Sequence, residues 1–120
     1  MNGRVLLVED SPMISGALRM LLEAGGFEVT LATTAAEAMA WSGPERADVM
    51  LLDIGLPDAD GLSVIGALDA RGLRPVTTYA MTGHGDAATR ERCLAAGCDD
   101  VLLKPVPVQQ LLRIVSEAVA

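Results

Sequence analysis

The run Val49-Met-Leu-Leu52 narrows what this chain can become more than any other stretch, because its length and flanks point the same way. Four consecutive apolar residues are too few for an isolated helix, and Gly55, Pro57 and Gly61 close the stretch behind them, so it reads as a strand covered on both faces. Asp53 follows at once. In an open α/β sheet the carboxyl ends of the strands are where loops gather and ligands bind, so an acid there is placed for chemistry rather than packing.

The rest of the chain alternates the same kind of run with helical stripes. Arg4-Val-Leu-Leu-Val8 ends in Glu9-Asp10, and Ser11-Pro12 then open a helix to Ala24 with Ile14, Leu18, Leu21 and Leu22 on one stripe, stopped by Gly25-Gly26. Residues 27–31 alternate like a strand near a sheet edge. Thr34 and Glu37 have capping-box spacing, which predicts a helix through Trp41 ended by Gly43-Pro44. A helix over 62–70, begun by Asp60 or Gly61, turns Val64, Ile65 and Leu68 inward; strand four covers 76–81, and a loop covers 82–85. Asp86 caps a helix to Ala96 that Gly97 closes, strand five covers 101–103, and Lys104-Pro105 turns the chain. A last helix, from Pro107 or Val108, carries Leu111, Leu112, Val115 and Val119 inward.

Five strands alternating with five helices predict a single α/β domain over residues 1–120: a doubly wound, five-stranded parallel sheet with helices on both faces. The alternation leaves the strand order open.

If strands one and three are neighbours, Glu9, Asp10 and Asp53 converge. Two like charges about 4 Å apart repel by roughly 4 kcal/mol at an effective dielectric near 20, so three carboxylates must take up protons or gather cations. The chain offers one obvious cation, Lys104, its single lysine in a sequence that otherwise uses arginine. A compact ammonium enters a tight phosphoryl site that a planar guanidinium fork does not. Three negative charges and one positive leave a gap that a divalent ion closes, and carboxylate, carbonyl and water oxygens suit Mg²⁺.

Other classes are disfavoured. A net charge of −7 and the lack of a basic stripe argue against direct nucleic-acid binding. No apolar run approaches a membrane span and the start carries no signal-peptide pattern, so a cytoplasmic protein without a membrane partner is expected. Cys93 and Cys98 match no common zinc spacing and read as small buried hydrophobes. Asp58, Asp60, Asp99 and Asp100 read as turn and solvated residues, and His84 as either a loop residue or part of a site's rim.

Taken together, Val8-Glu9-Asp10, Leu52-Asp53-Ile-Gly-Leu-Pro57 with Asp60-Gly61, Met81-Thr82-Gly83, and Ala96-Gly-Cys-Asp-Asp100 leading to Leu103-Lys104-Pro105 resemble the receiver domains of two-component response regulators. The likeness runs over essentially the whole chain, and the Asp-Ile-Gly-Leu-Pro and Met-Thr-Gly-His forms look more like receivers attached to hybrid sensor kinases than those of DNA-binding regulators. The resemblance implies strand order 2-1-3-4-5. It implies that Asp53 accepts a phosphoryl group from a histidine kinase or histidine phosphotransfer protein. Asp10, Asp53 and the Gly55 carbonyl would hold Mg²⁺, Glu9 would act through a water ligand, and Thr82 and Lys104 would contact phosphoryl oxygens.

It further implies a cis bond before Pro105, a slow return by self-dephosphorylation rather than turnover as an enzyme, and a switch in residues 83–96. The downstream partner would meet the face of helix four, strand five and helix five. Many members carry Tyr or Phe where this chain has Val101, so the usual threonine-to-aromatic coupling does not carry over. Two other readings compete: a receiver-like interaction scaffold indifferent to phosphate, and a small Mg²⁺-dependent phosphatase built on Asp58-Ala-Asp60.

Overall fold

A computed structural model describes residues 3–43 and 45–119. Its strands β1 (Arg4–Val8), β2 (Glu28–Ala32), β3 (Val49–Asp53), β4 (Thr77–Thr82) and β5 (Asp100–Leu103) alternate with helices α1 (Pro12–Ala24), α2 (Ala35–Met39), α3 (Ser63–Ala70), α4 (Ala87–Ala96) and α5 (Val108–Val119). All strands pair in parallel, in the order β2-β1-β3-β4-β5. That is the order the resemblance implied.

Strand periodicity divides the core in two. Leu6, Val8, Met50, Leu52 and Ala80 face α2, α3 and α4, whereas Val5, Leu7, Val49, Leu51 and Met81 face α1 and α5. Both faces of the central strands are therefore covered, which is why β1 and β3 are apolar without interruption. A leucine fully buried this way stabilises the fold by about 2 kcal/mol. The same ladder sets Val8 beside Leu52, so the residues that follow β1 and end β3 emerge together.

Several local expectations shift by a residue or two. Ile14 is 44% exposed, and Ser15 takes its buried place beside Leu22. Helix α2 stops at Met39, before Trp41, whose buried indole Nε1 donates to the Glu45 carbonyl at 3.0 Å; Pro44, expected to end this helix, lies outside the described residues. The capping box is also displaced: Thr34 Oγ1 accepts from Glu37 N at 3.1 Å, but the Glu37 carboxylate reaches back to Thr33 N at 2.8 Å rather than to Thr34. β4 runs one residue later than expected, leaving Val76 half exposed.

The acids expected as turn and solvated residues are largely exposed, and they also make bonds to the frame. Asp58 accepts from Ala35 N at 2.8 Å and Ala36 N at 3.0 Å, supplying a carboxylate to the amino end of a five-residue helix that would be marginal alone. Asp99 accepts from Thr78 N at 2.8 Å, and Asp100 pairs with Arg90 at 3.0 Å. Asp86 caps α4 through Thr89 N, and Gly97 closes that helix at φ +111°, a left-handed backbone that glycine adopts without a side-chain clash. Cys93 and Cys98 are buried, and burial pushes the Cys98 thiol up to about 12, in keeping with a packing role.

Candidate functional site

The carboxyl edge of the sheet gathers its acids by continuing the strand geometry beyond the strands. Glu9 N donates to the Ala32 carbonyl at 3.0 Å, extending β1 by one residue and carrying the Glu9 side chain into full burial. Asp53 ends β3, also buried, while Asp10 stands exposed one residue beyond Glu9. One carboxylate oxygen from each of Glu9, Asp10 and Asp53 lies within 4.8 Å of the others.

Lys104 enters from the far side. Its amide donates to the Thr82 carbonyl at 2.8 Å, prolonging the β4–β5 ladder, and the Lys104–Pro105 bond is cis. Its ammonium lies 3.1 Å from Glu9 Oε1 and 3.1 Å from Asp53 Oδ2. The other Asp53 oxygen, Oδ1, accepts from Gly55 N at 3.0 Å. Thr82, buried on β4 next to this cluster, accepts from His84 N at 3.0 Å, which leaves its hydroxyl proton available to donate.

Gly61 fixes how closely the following loop approaches. A Cβ there would stand 2.3 Å from the Asp53 carbonyl oxygen, so only glycine lets the loop close against the end of β3.

The charges respond as crowding demands. Burial, reinforced by Asp53, pushes Glu9 up to about 7, against the opposing pull of Lys104. Burial also acts to raise Asp53, but bonds to Glu9, Gly55 N and Lys104 outweigh it and hold that carboxyl below its usual range. For Lys104 burial lowers and the two carboxylates raise, with the carboxylates prevailing. A set of hard carboxylate oxygens this close, with burial and Asp53 raising Glu9, fits a small divalent ion such as Mg²⁺.

A cavity of about 330 Å³ opens beside Asp53, lined by Asp53, Gly55, Thr82, His84, Thr89 and Arg92 among others. His84 thus belongs to the rim. Thr89 and Arg92 are site-lining residues that sequence reasoning missed; their three-residue spacing on the helix after Thr82 was the signal available. Arg92 Nη1 lies 3.1 Å from Asp60 Oδ2, and Asp60 Oδ1 accepts from Leu62 N at 3.0 Å. Asp58 and Asp60 are both engaged in these structural bonds, away from the pattern an aspartyl phosphatase pair requires. A second, largely apolar groove of about 480 Å³ runs from Glu9 and Lys104 along α1, and Ile14 is exposed because it lines this groove.

Comparison with known proteins places this geometry. The family model described as the response regulator receiver domain matches residues 5–116. The transcriptional regulatory protein KdpE of Mycobacterium tuberculosis is 35% identical over 115 residues, covering 96% of this chain and 50% of that protein. The chain thus spans about half the length of the curated relatives it matches.

Among solved structures, the receiver domain of a sensor histidine kinase from Pseudomonas aeruginosa PAO1, with a magnesium ion coordinated in its active-site cleft, is 32% identical. It superposes at a TM-score of 0.86 over 99% of this chain and 98% of that one. A response regulator receiver domain protein from Methanospirillum hungatei JF-1 is 31% identical at a TM-score of 0.86, covering 99% of this chain and 94% of that one. Both a transcriptional regulator and the receiver domain of a sensor kinase are among the matches, so the likeness to hybrid kinases is not singled out.

Proposed function

This chain belongs to the response regulator receiver domain family, and from that premise we propose that residues 1–120 form one receiver domain that accepts a phosphoryl group on Asp53. The donor is a phosphohistidine on a histidine kinase or phosphotransfer protein. The observation that carries the reading is the buried Asp53 carboxylate held 3.1 Å from the lone ammonium, with Glu9 and Asp10 beside it. Held below the usual carboxylate range, Asp53 is ionised at neutral pH and ready as a nucleophile.

In transfer, an Asp53 oxygen bonds to phosphorus as the phosphorus–nitrogen bond to the donor histidine breaks, and the imidazole departs with a proton from solvent. Lys104 faces the oxygens on which negative charge accumulates, and Thr82 donates its hydroxyl proton to one of them while still accepting from His84 N. Asp10, Asp53 and the Gly55 carbonyl, with Glu9 through a water, would hold Mg²⁺, which supplies the remaining neutralising charge when bound. Water later attacks the phosphorus, the acyl phosphate bond breaks, and phosphate leaves a restored Asp53.

Because Thr82 Oγ1 and His84 N are bonded, a shift of Thr82 towards the new group moves the loop that leads into α4. Receipt by a downstream protein on the α4-β5-α5 face, in the cytoplasm, follows from this reading. Among the described residues no helix is long and apolar enough to cross a membrane.

The test is incubation with acetyl phosphate and Mg²⁺. Acid-stable, base-labile phosphate should appear on the parent and be absent from Asp53→Asn. A folded parent that gains none would sink the assignment and favour the phosphate-indifferent scaffold.

A further inference from the structure

Arg92 has no part in the mechanism above, yet it lines the same cavity as Asp53. We propose that Arg92 reads the phosphoryl group, leaving Asp60 to bind the group's oxygens when Asp53 carries it. This inference rests on the phosphoacceptor reading and extends it to a residue on α4.

Three observations lead there. First, among the described residues Arg92 is the only permanently cationic side chain lining this cavity, and Lys104 reaches Asp53 from beside the groove along α1. Of these two cations only Lys104 is in contact with Asp53 before phosphorylation, while Arg92 shares its cavity.

Second, Arg92 is weakly held. Its bond to Asp60 joins two half-exposed side chains, a kind of pair that contributes little to stability. Asp60 does not depend on Arg92 for its position, because its other oxygen is fixed by Leu62 N. A phosphoryl group brings close to two negative charges and three acceptor oxygens, which a guanidinium fork can take in pairs, whereas Asp60 offers one charge and one oxygen here.

Third, α4 is lightly packed. Cys93 is its one buried residue among the described residues of Ala87–Ala96, so movement of Arg92 meets little packing resistance. With Val101 in place of an aromatic, an arginine on α4 gives the site its own direct handle on the helix.

The alternative is that Arg92 is a strut whose only task is to tie α4 to the loop carrying Asp60. Titration of the full chain with beryllium fluoride in Mg²⁺, followed by fluorine NMR, separates the two. If Arg92 reads the group, Arg92→Gln weakens beryllofluoride binding by about tenfold, the loss of one bidentate charge-assisted contact. Arg92→Lys, keeping charge without the fork, falls between, and Asp60→Asn, which frees the arginine, binds as tightly as the parent or tighter.

Binding by Arg92→Gln equal to the parent overturns the proposal, as does weakening by Asp60→Asn to the same degree. A parent that binds beryllofluoride and also accepts phosphate confines such a failure to Arg92. A parent that does neither removes the phosphoacceptor reading and this one with it.

Discussion

Asp48 and Asp53 bracket the same four apolar residues, one at each end of β3, and their surroundings could hardly differ more. Asp48 Oδ2 accepts from Arg4 N at 2.8 Å, joining the starts of β3 and β1, and remains half-buried. Asp53 is buried against another buried acid, with Asp10 nearby and an ammonium at 3.1 Å. At the first end the fold itself supplies a donor for the charge. At the second, the fold assembles more negative charge than its own groups neutralise, and the shortfall gives that end its capacity to bind. Chain direction marks Asp53 as the acid at the carboxyl end of the run, and the neighbouring strands then supply what surrounds it.

The sharpest way to break this contrast is to remove the imported cation. Lys104→Met leaves Glu9 and Asp53 facing one another without an ammonium, and phosphate uptake from acetyl phosphate at fixed Mg²⁺ should slow by about a hundredfold, as when one charge-stabilising group is lost. Time courses of incorporation give the number. A rate within about threefold of the parent would mean that Lys104 is only a structural counter-ion and takes no part in stabilising the transferring group.

The proton on Glu9 measures the same shortfall. With its folded value near 7 and an ordinary value of 4.5, the folded chain holds a proton that the unfolded chain has released across that interval. In Mg²⁺-free buffer the Glu9 contribution to stability should therefore be fully present below the ordinary value and be lost as pH rises through about 7, by about 3 kcal/mol in all. Urea unfolding at a series of pH values tests it. Glu9→Gln, with nothing to titrate, should flatten the profile; an equally steep one would assign the proton elsewhere.

How much of this was legible in the letters depends on whether a residue's role is set locally. Glu9, Asp53 and Lys104 could be read because each ends a short apolar run, and one lysine among arginines stands out. The order of the strands could not be read from alternation, since any right-handed winding satisfies it, and came from the resemblance. Arg92 and Thr89 escaped because they are ordinary helix residues until the fold brings them to the cavity that Asp53 also lines. Asp58 looked solvated because the amides it bonds, at Ala35 and Ala36, lie more than twenty residues away in the chain. Ile14 fits an inward stripe on any helical wheel, and only the groove beside Lys104 turns it outward.

The smallest effect expected is at the quiet end of the strand, where it matters most to the contrast. Asp48→Ala removes the acceptor for Arg4 N, a half-buried bond whose net contribution is about 1 kcal/mol. Arg4 itself sits in a weak pairing with Glu28 at 3.7 Å, so little else at this edge compensates or amplifies the loss. The midpoint of urea unfolding should drop by that energy divided by the slope, while the slope stays the same, because the surface exposed on unfolding is unchanged. Phosphate uptake should match the parent, since Asp48 and Asp53 are separated by the whole length of a buried strand and share no partner. A variant that unfolds normally but takes up phosphate more slowly would show the two ends to be coupled through β3, and the division of labour between its aspartates would have to be abandoned.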